Sequence, residues 1–278
     1  MDLITPSFDL CSRAYCGLFD YLDEKIGHER TTLLKTISVA VGMGIAMASY
    51  ARAVSLTPLR IPIVWAVAGL AHVVHQYVTE ALCRRGTQLI LEKNAQNGQD
   101  KETAVIVNLL FSSIGEIAIG REFLLRRDVR QLAPTFSLQI LESKSLEAWN
   151  RALDLFPDAS IAYLLIRAHG YTNGIHVGNN KYLIYYGPDL YEEATRKNMR
   201  KSDLDMADHS LALLKKIGAK VKKNGRVVLS ACSTGRGTNN LKKGFEVYCP
   251  QAMVHAPSSD IRYTYIKNDL TPAFCGCE

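Results

Sequence analysis

The chain carries little excess charge. Its 33 lysines and arginines stand against 27 aspartates and glutamates, which leaves +6 with histidine neutral. That balance is too mild for the electrostatic footprint of a nucleic-acid binder, and no nucleic-acid partner is expected. It is compatible with a surface near anionic lipid. Charged residues make up 22% and apolar residues 47%, which excludes disordered, collagen-like and coiled-coil classes for the whole chain. Cysteine is sparse and odd in number: Cys11, Cys16, Cys83, Cys232, Cys249, Cys275 and Cys277. Such a scattered set builds no disulfide framework. There is no paired CxxC array, so no zinc site is expected. Reduced thiols in a cytosolic compartment are the simplest reading. Residues 1–35 include Asp2, Asp9, Asp20, Asp23 and Glu24. They lack the basic start and immediate apolar run of a secretory signal, and none is expected.

What the chain does have is two uncharged runs early on. Residues 36–51 (TISVAVGMGIAMASYA) and 61–79 (IPIVWAVAGLAHVVHQYVT) flank a short connection holding Arg52, Pro58 and Arg60. A spanning helix needs about 20 apolar residues, so the first run is marginal and the second long enough. The second also holds His72, His75 and Gln76, which are costly in lipid. Ala40, Gly44 and Ala48 lie at the four-residue spacing that lets helices approach closely. These features predict a hydrophobic helical hairpin over about 36–79 that anchors the chain in a membrane. A buried helical pair in a soluble protein gives a similar pattern. Residues 94–100 are Asn/Gln/Gly-rich and read as a linker. The expected division is a helical region over 1–100 and a second domain over 101–278.

Beyond the linker, strand and helix patterns alternate. Apolar runs at 104–111, 136–141, 161–168, 181–186, 226–230 and 252–256 read as strands. Amphipathic stretches at 121–132, 145–155 and 202–223 read as helices between them. The predicted class is α/β, a mostly parallel sheet flanked by helices and preceded by the hairpin. Reactive groups in such sheets sit beyond the carboxyl ends of the strands.

Two of those strand ends carry chemistry. The third strand runs into Arg167-Ala168-His169-Gly170, and the fifth into Ser230-Ala231-Cys232-Ser233-Thr234-Gly235. A right-handed parallel layout brings both ends to one edge. A thiolate there can attack a carbonyl carbon while imidazole manages the protons. The backbone N–H groups of Gly170 and Cys232 are candidates to hold the developing oxyanion.

An apolar strand ending His-Gly, followed by an apolar strand ending LSACSTGRG, resembles the caspase-like clan of cysteine peptidases, most closely its CHAT branch; separases and metacaspases share the clan. The resemblance covers Lys101 to about Asp260. Gly174 and the stretch 181–186 sit where the family has a glycine and a hairpin after the histidine. The resemblance implies a caspase-like fold and hydrolysis of peptide bonds in protein or peptide substrates. It makes Cys232 the nucleophile and His169 the general base or acid, with no metal or organic cofactor. It also implies a pocket for the residue before the cleaved bond, with Asp260 as candidate partner for a basic side chain. Asp203, Asp205 and Asp208 compete for that role, although a helix start explains them. The chain departs from the common pattern at Ser233, where many relatives are acidic or bulky, and at Arg167-Ala168, where family strands commonly end in small or aromatic residues. A hydrophobic segment ahead of such a domain resembles bacterial effectors that lodge in a host-derived membrane.

The expected function is therefore a membrane-tethered cysteine endopeptidase working in a reducing cytosolic compartment. The alternatives are a catalytically inactive, membrane-linked scaffold and a soluble cytoplasmic enzyme. His176 is the reserve proton carrier. His209 and His255 read as structural, and the His72–His75 pair lacks a third metal ligand. The lysines at 215, 216, 220, 222 and 223 read as a solvated helix end.

Overall fold

The computed structural model describes residues 12–18, 21, 25, 61–98, 100–109, 121–143, 145–178, 181–185, 187 and 201–276; of 61–77, 121, 181, 201, 203 and 204 it describes the backbone. The chain divides into two compact units, residues 1–89 with 113–126, and residues 90–112 with 127–278.

The second unit is built on five parallel strands: β1 (Thr103–Asn108), β2 (Ser137–Glu142), β3 (Ile161–Arg167), β7 (Val221–Ser230) and β8 (Met253–His255). Their order is β2-β1-β3-β7-β8, and every adjacent pair is parallel. The expected α/β class with a mostly parallel sheet is therefore present. β1 and β3 are buried nearly throughout, as strands covered on both faces must be.

One face of the sheet meets α3 (Leu146–Ala152), α4 (Lys201–Lys220) and α5 (Leu241–Tyr248). Val105, Ile166 and Leu229 from the strands join Trp149, Leu213, Ile217 and Phe245 in one core. Ser145 caps α3 by accepting from the Ala148 N–H at 3.1 Å, and Asn240 caps α5 by accepting from the Lys243 N–H at 2.8 Å. Each side chain answers one of the orphan donors of a helix start. On the other face, Arg167 meets Asp128 of α2 (Arg121–Leu132) at 2.9 Å. There too Tyr163 donates to the Leu270 carbonyl at 3.2 Å, and Arg226 to the Asp269 carbonyl at 2.9 Å. Those carbonyls belong to the turn between β9 (Ile261–Ile266) and β10 (Pro272–Gly276), an antiparallel pair.

Three sequence expectations change. Residues 181–186 read as a fourth strand and, by the resemblance, as the place of a hairpin after the histidine; the hairpin is present, so the strand does not join the parallel sheet. Instead β6 (Lys181–Ile184) closes a separate antiparallel sheet with β4 (Gly170–Tyr171) and β5 (Gly174–Gly178). The connection from β5 to β6 is too short for the crossover that a parallel partner requires. Of the stretch read as a linker, residues 94–97 continue the helix α1 (Ile61–Asn97). Asn94 is buried there, donating to the carbonyls of Ala133 and Phe136 at 3.0 and 2.8 Å and accepting from the Leu138 N–H at 2.8 Å.

The third change is to the membrane anchor. Residues 36–60, the first half of the expected hairpin, lie outside the described residues. Residues 61–79 open α1, but no helix among the described residues is long and apolar enough to cross a membrane. The expected transmembrane helix is thus corrected. His72, His75 and Gln76 interrupt the apolar run, and Glu80, Arg84 and Arg85 follow at once in the same helix. From Thr79 onward the helix turns to protein: Thr79, Glu80 and Cys83 are buried. The Glu80 carboxylate accepts the Glu122 N–H at 2.7 Å, and the Leu82 carbonyl accepts the Ser12 hydroxyl at 2.7 Å.

Candidate active site

β3 and β7 are neighbours in the sheet, and Arg167 is level with Ser230. The Ala168 N–H continues the ladder to the Ser230 carbonyl at 3.2 Å. His169 and Cys232 each stand two residues beyond that shared rung, at the carboxyl edge. His169 is exposed and Cys232 half-buried.

Gly170 explains itself by space. A Cβ there would lie 2.7 Å from the Ala231 Cβ and 2.8 Å from the Cys232 carbonyl oxygen, both fixed to backbone. The His-Gly segment and the Ala-Cys segment therefore lie in direct contact. The His176 N–H donates to the His169 carbonyl at 2.9 Å, which makes Gly170 and Ile175 a non-hydrogen-bonded pair. The Gly170 N–H thus points away from β5 and is not spent on that ladder.

The residues after Cys232 fold back on themselves. Thr234 is buried and donates its hydroxyl to the Ala231 carbonyl at 3.0 Å. The Arg236 N–H reaches the Ser233 carbonyl at 2.9 Å, and Lys242 at the start of α5 donates its N–H to the Thr234 carbonyl at 3.0 Å. Ser233 itself has φ +57. The stretch before β9 then meets this turn residue by residue. Gly235 donates its N–H to the Pro257 carbonyl at 2.8 Å and Ser233 to the Ser259 carbonyl at 3.0 Å. The Ser233 hydroxyl donates to the Asp260 carboxylate at 2.7 Å. The Cys232 thiol donates to the Ile261 carbonyl at 3.4 Å, and its sulfur accepts the Ile261 N–H at 3.5 Å.

Asp260, expected beside a substrate cation, is exposed and has the Ser233 hydroxyl as a partner. Asp205 and Asp208 are exposed on α4. His176 lies on β5 with its ring 5.1 Å from that of Tyr182, and His209 is exposed on α4. Among the lysines of the basic cluster, Lys216 pairs with Asp154 and Lys220 with Asp158, both at 2.7 Å, and Lys222 pairs with Glu102. Burial pushes the Cys249 thiol up to about 12, so it stays protonated and unreactive near neutrality. Among the described residues no three His, Cys, Asp or Glu side chains are grouped to hold a metal ion. Sequence reasoning missed Ser233 as a structural partner of Asp260 and Ile261 as the neighbour of the sulfur. The alternating IRYTYI of β9 was the available signal for the latter.

A second imidazole flanks the cysteine strand. His255 ends β8, level with Val228 of β7. Burial, reinforced by the positive charges of Arg226 and Lys242, holds its pKa below the usual histidine value. The unfolded chain therefore takes up this proton first as pH falls. The stability His255 contributes is complete above the ordinary value of about 6.5 and is lost as pH drops through it toward the lowered folded one. In urea titrations at about pH 7 and pH 5, His255→Gln is expected to lose less stability between the two than the wild type. An equal loss would show that another group carries the acid sensitivity.

Compared with known proteins, the chain matches no family model, no curated protein and no solved structure.

Proposed function

We propose that this chain is a cysteine endopeptidase of the caspase-like type, with Cys232 as nucleophile and His169 as proton carrier. The observation that supports it is the β3–β7 rung: adjacent parallel strands, level at Arg167 and Ser230, run on to an imidazole and a thiol at one edge. In the proposed reaction His169 takes the thiol proton. The sulfur then forms a bond to the scissile carbonyl carbon, and the N–H groups of Gly170 and Cys232 hold the oxyanion. The imidazolium protonates the leaving amine as the C–N bond breaks. Water, deprotonated by the same imidazole, hydrolyses the thioester and frees the thiol. The substrate class is an extended peptide segment of a protein.

A second reading, an inactive relative that serves as a binding scaffold, draws on one observation. The sulfur is held on two sides by the Ile261 backbone, a partner with no proton-transfer chemistry.

A peptidyl acyloxymethyl ketone distinguishes the two. The wild type is expected to be labelled at Cys232 and to cleave an unfolded protein, and Cys232→Ala to do neither. Equal labelling of wild type and Cys232→Ala would remove the nucleophile assignment. Labelling at Cys232 without any cleavage would favour the scaffold.

A further inference from the structure

We propose that Asp260 is a positioning residue for the nucleophile's turn, acting through Ser233, rather than the acid of a substrate pocket. The inference rests on the reading of Cys232 as nucleophile. Ser233, next to it, has φ +57, a left-handed conformation that residues with a Cβ keep only when their surroundings hold them there. Two bonds to the incoming β9 stretch do the holding. The Ser233 N–H goes to the Ser259 carbonyl at 3.0 Å and its hydroxyl to the Asp260 carboxylate at 2.7 Å. Ile261 then brackets the Cys232 sulfur. Three consecutive residues thus grip the sulfur and the residue after it.

The chemistry of the pair favours this role. Ser233 is buried, so its hydroxyl needs an acceptor, and a bond to a carboxylate is stronger than one to a neutral group. Without it the backbone gains freedom to leave the left-handed region, and the sulfur leaves its place with it. One carboxylate oxygen of the exposed Asp260 is already engaged by the Ser233 hydroxyl, which ties the carboxylate to the cysteine turn.

Full-length variants test this with two readouts: kcat and KM on peptides bearing Arg, Lys or Leu before the cleaved bond, and amide hydrogen exchange at residue 233. Asp260→Ala and Ser233→Ala are expected to lower kcat about tenfold with little change in KM, and to speed exchange by a similar factor. Asp260→Asn should stay near wild type in both, because the amide oxygen accepts the same hydroxyl. Glycine adopts the left-handed conformation without support. Adding Asp260→Ala to Ser233→Gly should therefore change little, a non-additivity that marks action through Ser233.

The proposal is overturned if Asp260→Ala leaves kcat and exchange unchanged. It is also overturned if Asp260→Ala and Asp260→Asn both raise KM for Arg and Lys peptides alone, with the effect surviving in Ser233→Gly. Exchange needs no catalysis. A chain that cleaves nothing yet shows the exchange pattern loses the peptidase reading and keeps only the Asp260–Ser233 tether of the turn. A chain that cleaves peptides while all variants exchange alike does the reverse.

Discussion

His169→Ala is expected to lower kcat/KM by roughly a hundredfold to ten-thousandfold, the range a positioned acid–base group contributes. His176→Ala and His255→Ala should each lose less than His169→Ala, at most about the hundredfold that an indirect misplacement can cost. The separation of magnitudes follows from position. His169 stands two residues beyond the rung that Arg167 shares with Ser230, as Cys232 does. His176 is a strand further away, ring against Tyr182. His255 is on the opposite flank of β7, level with Val228. The pH profile carries a second signature. Activity that depends on a thiolate beside an imidazolium falls in acid as the thiolate is protonated, and falls again in base as the imidazolium that protonates the leaving amine is lost. A flat profile from weakly acidic to alkaline pH, or a larger loss in His176→Ala than in His169→Ala, would displace His169 from its role.

The largest expected stability effect lies beneath the site. Arg167→Met should lower the free energy of unfolding by about 3–5 kcal/mol, because it leaves the Asp128 charge buried without its guanidinium. Both side chains are only 3% exposed and meet at 2.9 Å, so solvent screens the pair little. The double replacement Arg167→Met with Asp128→Leu should recover most of that loss, since an apolar pair of similar volume avoids desolvating two ions. Urea unfolding of the single and double variants measures both quantities. A single variant within about 1 kcal/mol of wild type, the range of an exposed pair, would mean the interior accommodates the Asp128 carboxylate without that guanidinium.

That ion pair also explains what the sequence concealed. An arginine in an otherwise apolar strand looks like an interruption of the pattern, yet Asp128 of α2 neutralises it from another element. No local periodicity announces a partner 39 residues away. The parallel strands were legible because burial on both faces demands continuous apolar runs, and β1, β3 and β7 supply them. The site edge was legible for the same reason: a His-Gly and an Ala-Cys that end such runs leave the sheet at its carboxyl side. The β4–β6 sheet was harder, because KYLI carries the same apolar signal whether it joins the parallel sheet or turns back on itself. Of the grip of residues 259–261 on the cysteine turn, only the strand that begins at Ile261 was readable; the hold on Ser233 was not. It depends on the left-handed φ of Ser233, and serine gives no sequence sign of that conformation. The transmembrane helix is absent among the described residues for a reason the sequence did contain: two imidazoles and an amide lie within a helix that goes on through Glu80, Arg84 and Arg85.

The β3–β7 ladder also sets an order of events. His169 and Cys232 reach the same sheet edge only after residues 221–230 dock beside residues 161–167, a long-range closure that is slow beside helix formation. Under the proposed function, a peptidase acting on extended segments has one such substrate within reach, its own chain before folding. Here the imidazole is translated first and stays idle until the sheet has closed around the thiol's strand. By then both strands are paired in the sheet, so under the proposed function the thiol and the imidazole share an edge only after their own strands have been taken out of reach.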